Sequence, residues 1–153
     1  MQRICFVCTG NICRSPMAEF LFRDLAQRAG LGGAFSVASA AVSAEELGNP
    51  VYPPARRILA AHGIDCRGKT ARQLRPQDAE AFDLFVGMDD SNLRGMRRIL
   101  GPAAEGRIHL LLEYADRPGQ EVADPWYTGD FAAAWADIAA GCAGLLRALS
   151  PTR

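Results

Sequence analysis

Apolar and polar positions along this 153-residue chain alternate between short apolar runs and stretches with helical spacing. Arg3 to Val7, Phe35 to Ala38, Asp83 to Met88 and Ile108 to Leu112 are largely apolar runs of the kind that become parallel strands buried on both faces. Between them the spacing predicts helices over Pro16 to Ala29, stopped by Gly30, over Ala55 to His62, stopped by Gly63, and over Ser91 to Leu100, stopped by Gly101-Pro102. A last helix starts near Asp130. Phe131, Trp135, Ile138, Cys142, Leu145 and Leu149 recur at steps of three or four and lay one apolar stripe along it.

Strands alternating with helices imply a parallel sheet, because each return to the start of a parallel neighbour needs a helix-sized crossover. The expected fold is α/β, a doubly wound four-stranded parallel sheet with helices on both faces. Such sheets bind ligands at the carboxyl ends of their strands, which directs attention to the turn after Val7. Two connections, Ala40 to Pro54 and Glu113 to Gly129, are too long for simple turns, and such loops in a compact domain are usually functional or disordered. The second carries Trp126 and Tyr127, residue types that disorder rarely includes.

Composition narrows the function. With 49% apolar and 22% charged residues and no internal repeat or linker, residues 1–153 read as one soluble domain, large enough to fold without disulfides or a structural metal. Seventeen basic and seventeen acidic residues give zero net charge, which argues against nucleic acid as a partner. No continuous apolar run approaches the roughly 20 residues of a bilayer span, and no signal-peptide pattern precedes Ile4, so a cytoplasmic protein without a membrane partner is expected. Cys5, Cys8, Cys13, Cys66 and Cys142, odd in number and unevenly spaced, read as thiols. Neither His62 nor His109 lies near a cysteine pair at zinc spacing, so no metal and no cofactor is expected.

Three strings resemble phosphate loops. Cysteine followed six positions later by arginine occurs twice, as Cys8 with Arg14 and as Cys66 with Arg72, and Gly63 to Thr70 matches a nucleotide-binding loop, with Leu84 to Asp89 as its metal-binding strand. Such loops need a strand before them and a helix after them, so that backbone N–H groups converge on the anion. Gly63 instead follows the helical pattern Arg56 to His62, and only five residues separate Thr70 from Pro76. Cys66 fails for the same reason and reads as a small packed residue.

Cys8 has the right context. It follows the first strand, and Thr9-Gly10-Asn11-Ile12-Cys13-Arg14 leads into Ser15-Pro16, read as a helix N-cap followed by proline at the first helical position. Gly10 is expected to supply the free backbone angle of the turn, and Asn11 tolerates a left-handed one. The inward N–H groups, the helix N-terminus and Arg14 would hold a phosphoryl group. The same field would depress the Cys8 thiol from about 8.5 into the range of about 3.5–7.5, making it a nucleophile at neutral pH.

Val7-Cys-Thr-Gly-Asn-Ile-Cys-Arg-Ser-Pro16, followed by Met17-Ala-Glu19, resembles the active-site loop of the low-molecular-weight protein tyrosine phosphatases. Ala71-Arg-Gln-Leu74, Met88-Asp89 with Ser91-Asn-Leu93, and Asp124-Pro-Trp-Tyr127 resemble further family segments in the same order. The resemblance implies hydrolysis of protein phosphotyrosine through a cysteinyl-phosphate on Cys8. Arg14 would bind phosphate and the transition state, and Asp124 would act first as acid and then as base. It also implies that Ser15 and Ser39 support the loop, that Ser15 bonds the thiolate, and that Asn11 holds the loop's shape. Asp89 would be a structural anchor, and Cys13 a redox guard able to pair with Cys8. Trp126 and Tyr127 would wall a slot for a phenyl ring. The implied partners are a phosphotyrosine-bearing protein and inorganic phosphate or a similar oxyanion as product or inhibitor, with the protein acting as a monomer.

Two departures stand out. Many family members carry a histidine before Ala-Arg-Gln, bonded to the loop asparagine, where this chain has Lys69-Thr70. In the first long loop, Ser39-Ala40-Ala41-Val42 and Glu45-Glu46 replace the usual residues, which implies an open or acidic wall. A related activity, removal of phosphate from arginine, accompanies threonine at the Ile12 position, and bulkier, apolar isoleucine suits a phenyl ring better than a guanidinium. Thioredoxin-coupled arsenate reduction would need two further cysteines close together, whereas Cys66 and Cys142 are far apart in sequence.

Overall fold

The computed structural model describes residues 1–150. Four parallel strands, β1 (Gln2–Cys8), β2 (Phe35–Ala41), β3 (Leu84–Gly87) and β4 (Ile108–Leu110), form one sheet in the order β2-β1-β3-β4. The helices are α1 (Arg14–Arg28), α2 (Pro53–Ala61), the one-turn α3 (Asp78–Ala81), α4 (Asp90–Leu100), the one-turn α5 (Pro125–Thr128) and α6 (Phe131–Leu149). From β1 the chain steps to β2 on one side, then crosses to β3 on the other. The connections leaving β1 and β3 therefore diverge and open a crevice at their carboxyl ends. Cys8 is the last residue of β1, at that crevice.

The sheet is buried on both faces, which is why its central strands read as continuous apolar runs. Ile4, Phe6 and Cys8 of β1 and Leu84 and Val86 of β3 share a core with Met17, Phe22, Ile138 and Leu145 of α1 and α6. Cys5, Val7 and Phe85, pointing the other way, pack with Leu93 and Met96 of α4. Phe22 packs between Phe6, tilted to it, and Phe35, which meets it edge to face, with ring centroids 5.9 and 5.2 Å away, and burying one such ring stabilises the fold by about 1.5–3 kcal/mol.

Three elements differ from expectation. β2 runs to Ala41, three residues further, because Ala40 and Ala41 pair with Val7 and Cys8. The fourth apolar run breaks after Leu110 into a 3-10 segment, Leu111–Ala115. And α6, though no single run in it is long, is a 19-residue helix of mean hydropathy 1.3, apolar and long enough by itself to cross a membrane. Its Ile138, Cys142 and Leu145 are fully buried in the core.

Both rival phosphate loops lose their structural basis. α2 precedes Gly63, whose φ of 74° and N–H bond to the Ala60 carbonyl end that helix, and no helix begins at Lys69. Cys66 is packed in the core, where burial pushes its thiol up, and Arg72 pairs with Asp78 at 3.2 Å.

Close approach of α6 to the 3-10 segment depends on glycine. A Cβ at Gly144 would overlap the Tyr114 carbonyl oxygen, and one at Gly141 would overlap the Leu111 side chain. Gly144→Ala is expected to cost about 1–3 kcal/mol through overpacking, read as a lower urea midpoint, despite alanine's better helix propensity.

Candidate active site

The connection between β1 and α1 closes because Asn11 takes a left-handed backbone, φ 58°. Gly10, expected to supply that angle, does not; its role is room, since a Cβ there would sit 3.3 Å from the Glu46 side chain. The loop is braced on three sides. Val42 and Ser43 donate N–H bonds to the Cys8 and Thr9 carbonyls at 3.0 Å each, Tyr52 donates to the Ile12 carbonyl at 2.8 Å, and the Asn92 amide reaches the Thr9 hydroxyl at 3.3 Å.

Helix α1 begins at Arg14, with Cys13 at the cap position, so Ser15 is not the N-cap that its neighbour proline suggests. Its hydroxyl is used elsewhere. Ser15 Oγ lies 3.0 Å from Cys8 Sγ and accepts from Asn11 Nδ2 at 2.8 Å, while the Asn11 backbone N–H points at the same sulfur at 3.3 Å. Asn11 Nδ2 also donates to Ser39 Oγ at 2.9 Å, and Asn11 Oδ1 accepts the Arg72 N–H at 3.2 Å. Asn11, Ser15 and Ser39 are all buried, and each polar atom of the Asn11 side chain has a partner.

Arg14 is 1% exposed, and carboxylates surround its guanidinium. Nη1 donates to Asp89 Oδ2 at 2.9 Å and to the Val122 carbonyl at 2.8 Å, and Nη2 donates to Asp124 Oδ2 at 3.3 Å. Burial opposes the charge, but the negative Cys8, Asp124 and Asp89 outweigh it and hold the guanidinium above its ordinary pKa. Of the five N–H groups a guanidinium carries, Nε–H and one on Nη2 remain for a ligand. Asp89 also caps α4, accepting the Asn92 N–H at 2.9 Å. Burial pulls its carboxyl up, and Arg14 overcomes that to hold it below the usual range.

Asp124 begins α5 as the turn starter that an Asp-Pro pair suggests, Oδ1 accepting the Trp126 N–H at 3.1 Å while Oδ2 faces Arg14. One carboxyl thus has a holding oxygen and a facing oxygen. A cleft of about 460 Å³, open to solvent, is lined by Cys8, Thr9, Gly10, Ile12, Cys13 and Arg14 at its base and by Glu45, Glu46, Asp124, Trp126 and Tyr127 at its mouth. Cys13 is buried beside Cys8, and burial, the Cys8 charge and Asp124 push its thiol up to about 12.

Sequence reasoning missed two contributors. Tyr52 stands beneath the rim, its ring 4.9 Å from Trp126 and 6.0 Å from Phe131; the signal was an aromatic in a long loop, the argument applied to Trp126. Glu19, within the motif but given no role, accepts the Ser39 hydroxyl at 2.5 Å. Tyr127, expected to wall the slot, is 81% exposed and forms only its outer lip.

A buried thiol at a strand end, ringed by inward N–H and O–H donors and a buried arginine, defines a nucleophilic site for a tetrahedral oxyanion. The family model for the low molecular weight phosphotyrosine protein phosphatases matches residues 3–153, and the chain belongs to that family. It is 41% identical to the low molecular weight protein-tyrosine-phosphatase YfkJ of Bacillus subtilis over 97% of this chain and 96% of that protein. The YfkJ crystal structure superposes with a TM-score of 0.93 over 97% of this chain and 94% of that one, at 40% identity. The human low molecular weight phosphotyrosine protein phosphatase is 37% identical over 84% of this chain and 82% of its own length. The structure of a Drosophila arginine phosphatase also matches, at 30% identity and a TM-score of 0.88, over the whole of both chains.

Asp89 does two jobs that substitution separates. Asp89→Asn keeps the cap acceptor and loses the ion pair, whereas Asp89→Ala loses both and is expected to be about 1 kcal/mol less stable than the asparagine variant in urea denaturation. Because the folded carboxyl is held below its unfolded value, the ion-pair contribution is present above about pH 4 and is lost as pH falls through the folded value. The gap between wild type and Asp89→Asn should therefore close in acid.

Proposed function

We propose that this protein hydrolyses phosphotyrosine on proteins through a covalent intermediate on Cys8. The observation that carries this is the sulfur itself, at the floor of a cleft whose other faces are a buried guanidinium, a carboxyl and aromatic rings. Family membership and the names of its relatives support it.

The geometry supports the following sequence. The phosphoryl group enters the loop, its oxygens meeting inward N–H groups and the two remaining Arg14 donors. Cys8 Sγ attacks phosphorus as the bond to the phenolic oxygen breaks, and Asp124 protonates that oxygen. The Asp124 carboxylate then takes a proton from water, whose oxygen attacks phosphorus. The sulfur–phosphorus bond breaks, inorganic phosphate leaves and the thiolate returns. In the transition state of each step, the same donors stabilise charge on the three equatorial oxygens.

Ile12 and Trp126, the latter backed by the Tyr52 ring, give the cleft apolar surface suited to a phenyl ring, and Glu45 and Glu46 make its lip acidic. Substrates with basic residues beside the phosphotyrosine fit that lip better than acidic ones. Cys13, a protonated thiol adjoining the nucleophile, is placed to trap an oxidised Cys8 as a disulfide. The five free thiols suit a reducing cytoplasm.

Three measurements test this reading. Cys8→Ser is expected to abolish turnover of p-nitrophenyl phosphate; unaltered turnover would sink the mechanism. Asp124→Asn should slow aryl phosphates more as the leaving phenol becomes more basic, and a uniform effect would remove Asp124 as the acid. Phosphotyrosine peptides should be cleaved faster than phosphoarginine peptides, with Ile12→Thr narrowing the ratio. The reverse preference in the unmodified protein would favour the activity that names the Drosophila relative.

A further inference from the structure

The surface of the catalytic cleft continues beyond its mouth. Ile12, Glu46 and Trp126, which line the cleft, also line a second depression of about 530 Å³ that runs on over Pro50, Tyr52 and Pro53. Arg56 lines that depression and a third, of about 830 Å³, which extends along α2 past Arg57 to Gly63. Each depression shares residues with the next, so the three form one track from Cys8 along the helix. Its first stretch is pinned in place. The Tyr52 N–H donates to the Ile12 carbonyl of the catalytic loop at 2.8 Å, and the Asn49 amide donates to Glu46 at 2.7 Å.

The chemistry changes along the track. Glu45 and Glu46 make the near end acidic. Proline and aromatic surface follows, from Pro50, Tyr52, Pro53 and Trp126. The far end is basic. Helix α2 contains no acidic residue, and among the described residues neither Arg56 nor Arg57 has a carboxylate within salt-bridge distance, whereas Arg67 is held by Asp65 at 2.8 Å. A chain of zero net charge thus presents two adjacent, exposed guanidiniums whose charge nothing in its own fold matches. A carboxylate brought in by a partner would match it.

The segment that carries a phosphotyrosine has to leave the cleft across its mouth, and this track is a preformed way out. We propose that the track docks that flanking segment of the substrate protein, with an apolar side chain against Pro50, Tyr52 and Pro53 and an acidic one against Arg56 and Arg57. The two arginines lie one helical turn beyond Tyr52 and Pro53, about 5.4 Å, a length that about two extended residues span. The acidic residue therefore stands about two positions further from the phosphotyrosine than the apolar one, on the same side of it. The reversal of charge from end to end selects a peptide over an anionic lipid surface, which Glu45 and Glu46 would repel. Continuity with the catalytic cleft selects the substrate's own chain over a second copy of this protein.

The inference rests on the cleft accepting phosphotyrosine proteins, and two readouts separate the failures. Phosphotyrosine peptides carrying one glutamate or one lysine at successive positions on either side are compared by kcat/KM, and by fluorescence anisotropy on Cys8→Ser protein, which needs no turnover. Glutamate is expected to be favoured over lysine by about fivefold, on one side only, through KM with kcat unchanged, and less so as salt is raised. A leucine about two positions nearer the phosphotyrosine should strengthen binding further. Arg57→Glu should invert the preference towards lysine, and Arg56→Glu likewise, while both turn over p-nitrophenyl phosphate as wild type does, since neither arginine lines the cleft. Damage to the fold would lower both activities and cannot invert a preference. The same glutamate-to-lysine ratio in wild type and both folded variants would overturn the proposal. So would self-association in sedimentation that Arg57→Glu abolishes with peptide preferences unchanged, which would assign the track to a second copy. Absence of p-nitrophenyl phosphate turnover in wild type would instead count against the function proposed above.

Discussion

The site depends on the conformation of one residue. Asn11 bends the chain into the left-handed region and, from that bend, its side chain reaches Ser15, Ser39 and the Arg72 N–H in a space closed to water. An alanine there would take a partner from each of them and leave the Arg72 N–H without its acceptor, at about 1–3 kcal/mol, besides straining the turn. Glycine would relieve the backbone and still orphan the Arg72 N–H. Asparagine meets both demands because its short amide tolerates the angle and carries donors and an acceptor.

Arg14 is the second constraint. A fully buried guanidinium is costly unless its charge is matched, and here two carboxylates and a carbonyl match it before any ligand arrives. Those contacts also aim it. A phosphoryl group therefore meets an arginine that needs no ordering, so less binding energy is lost to immobilising it.

The sheet, the order of its helices and the loop at Cys8 were legible because each rests on local rules: apolar runs, helical spacing, and a strand–turn–helix context that only one of three phosphate-loop strings possessed. What could not be read was where side chains end up once tertiary partners compete for them. Ser15 has the sequence context of a helix cap and instead serves the sulfur. Gly10 has the look of the turn residue, yet the left-handed angle falls one position later. Glu19 reads as an ordinary helical acid until folding brings β2 against α1 and sets Ser39 beside it. Lys69 breaks the family pattern as a string, and the carbonyl it donates to lies thirty residues away.

Floor and rim of the cleft differ in how they are held. Cys8, Asn11, Arg14 and Ser15 are locked by the core, while Tyr127 and Glu45 at the rim stand mostly in solvent, and truncating them removes little buried surface. Evolution can therefore change the two at different speeds. Substitutions at the rim carry almost no folding penalty and can retune which phosphoproteins are accepted, whereas the floor tolerates few. A lineage built on this scaffold would diversify its clients while its chemistry stayed fixed, and duplicated copies could part company in substrate long before either lost the reaction.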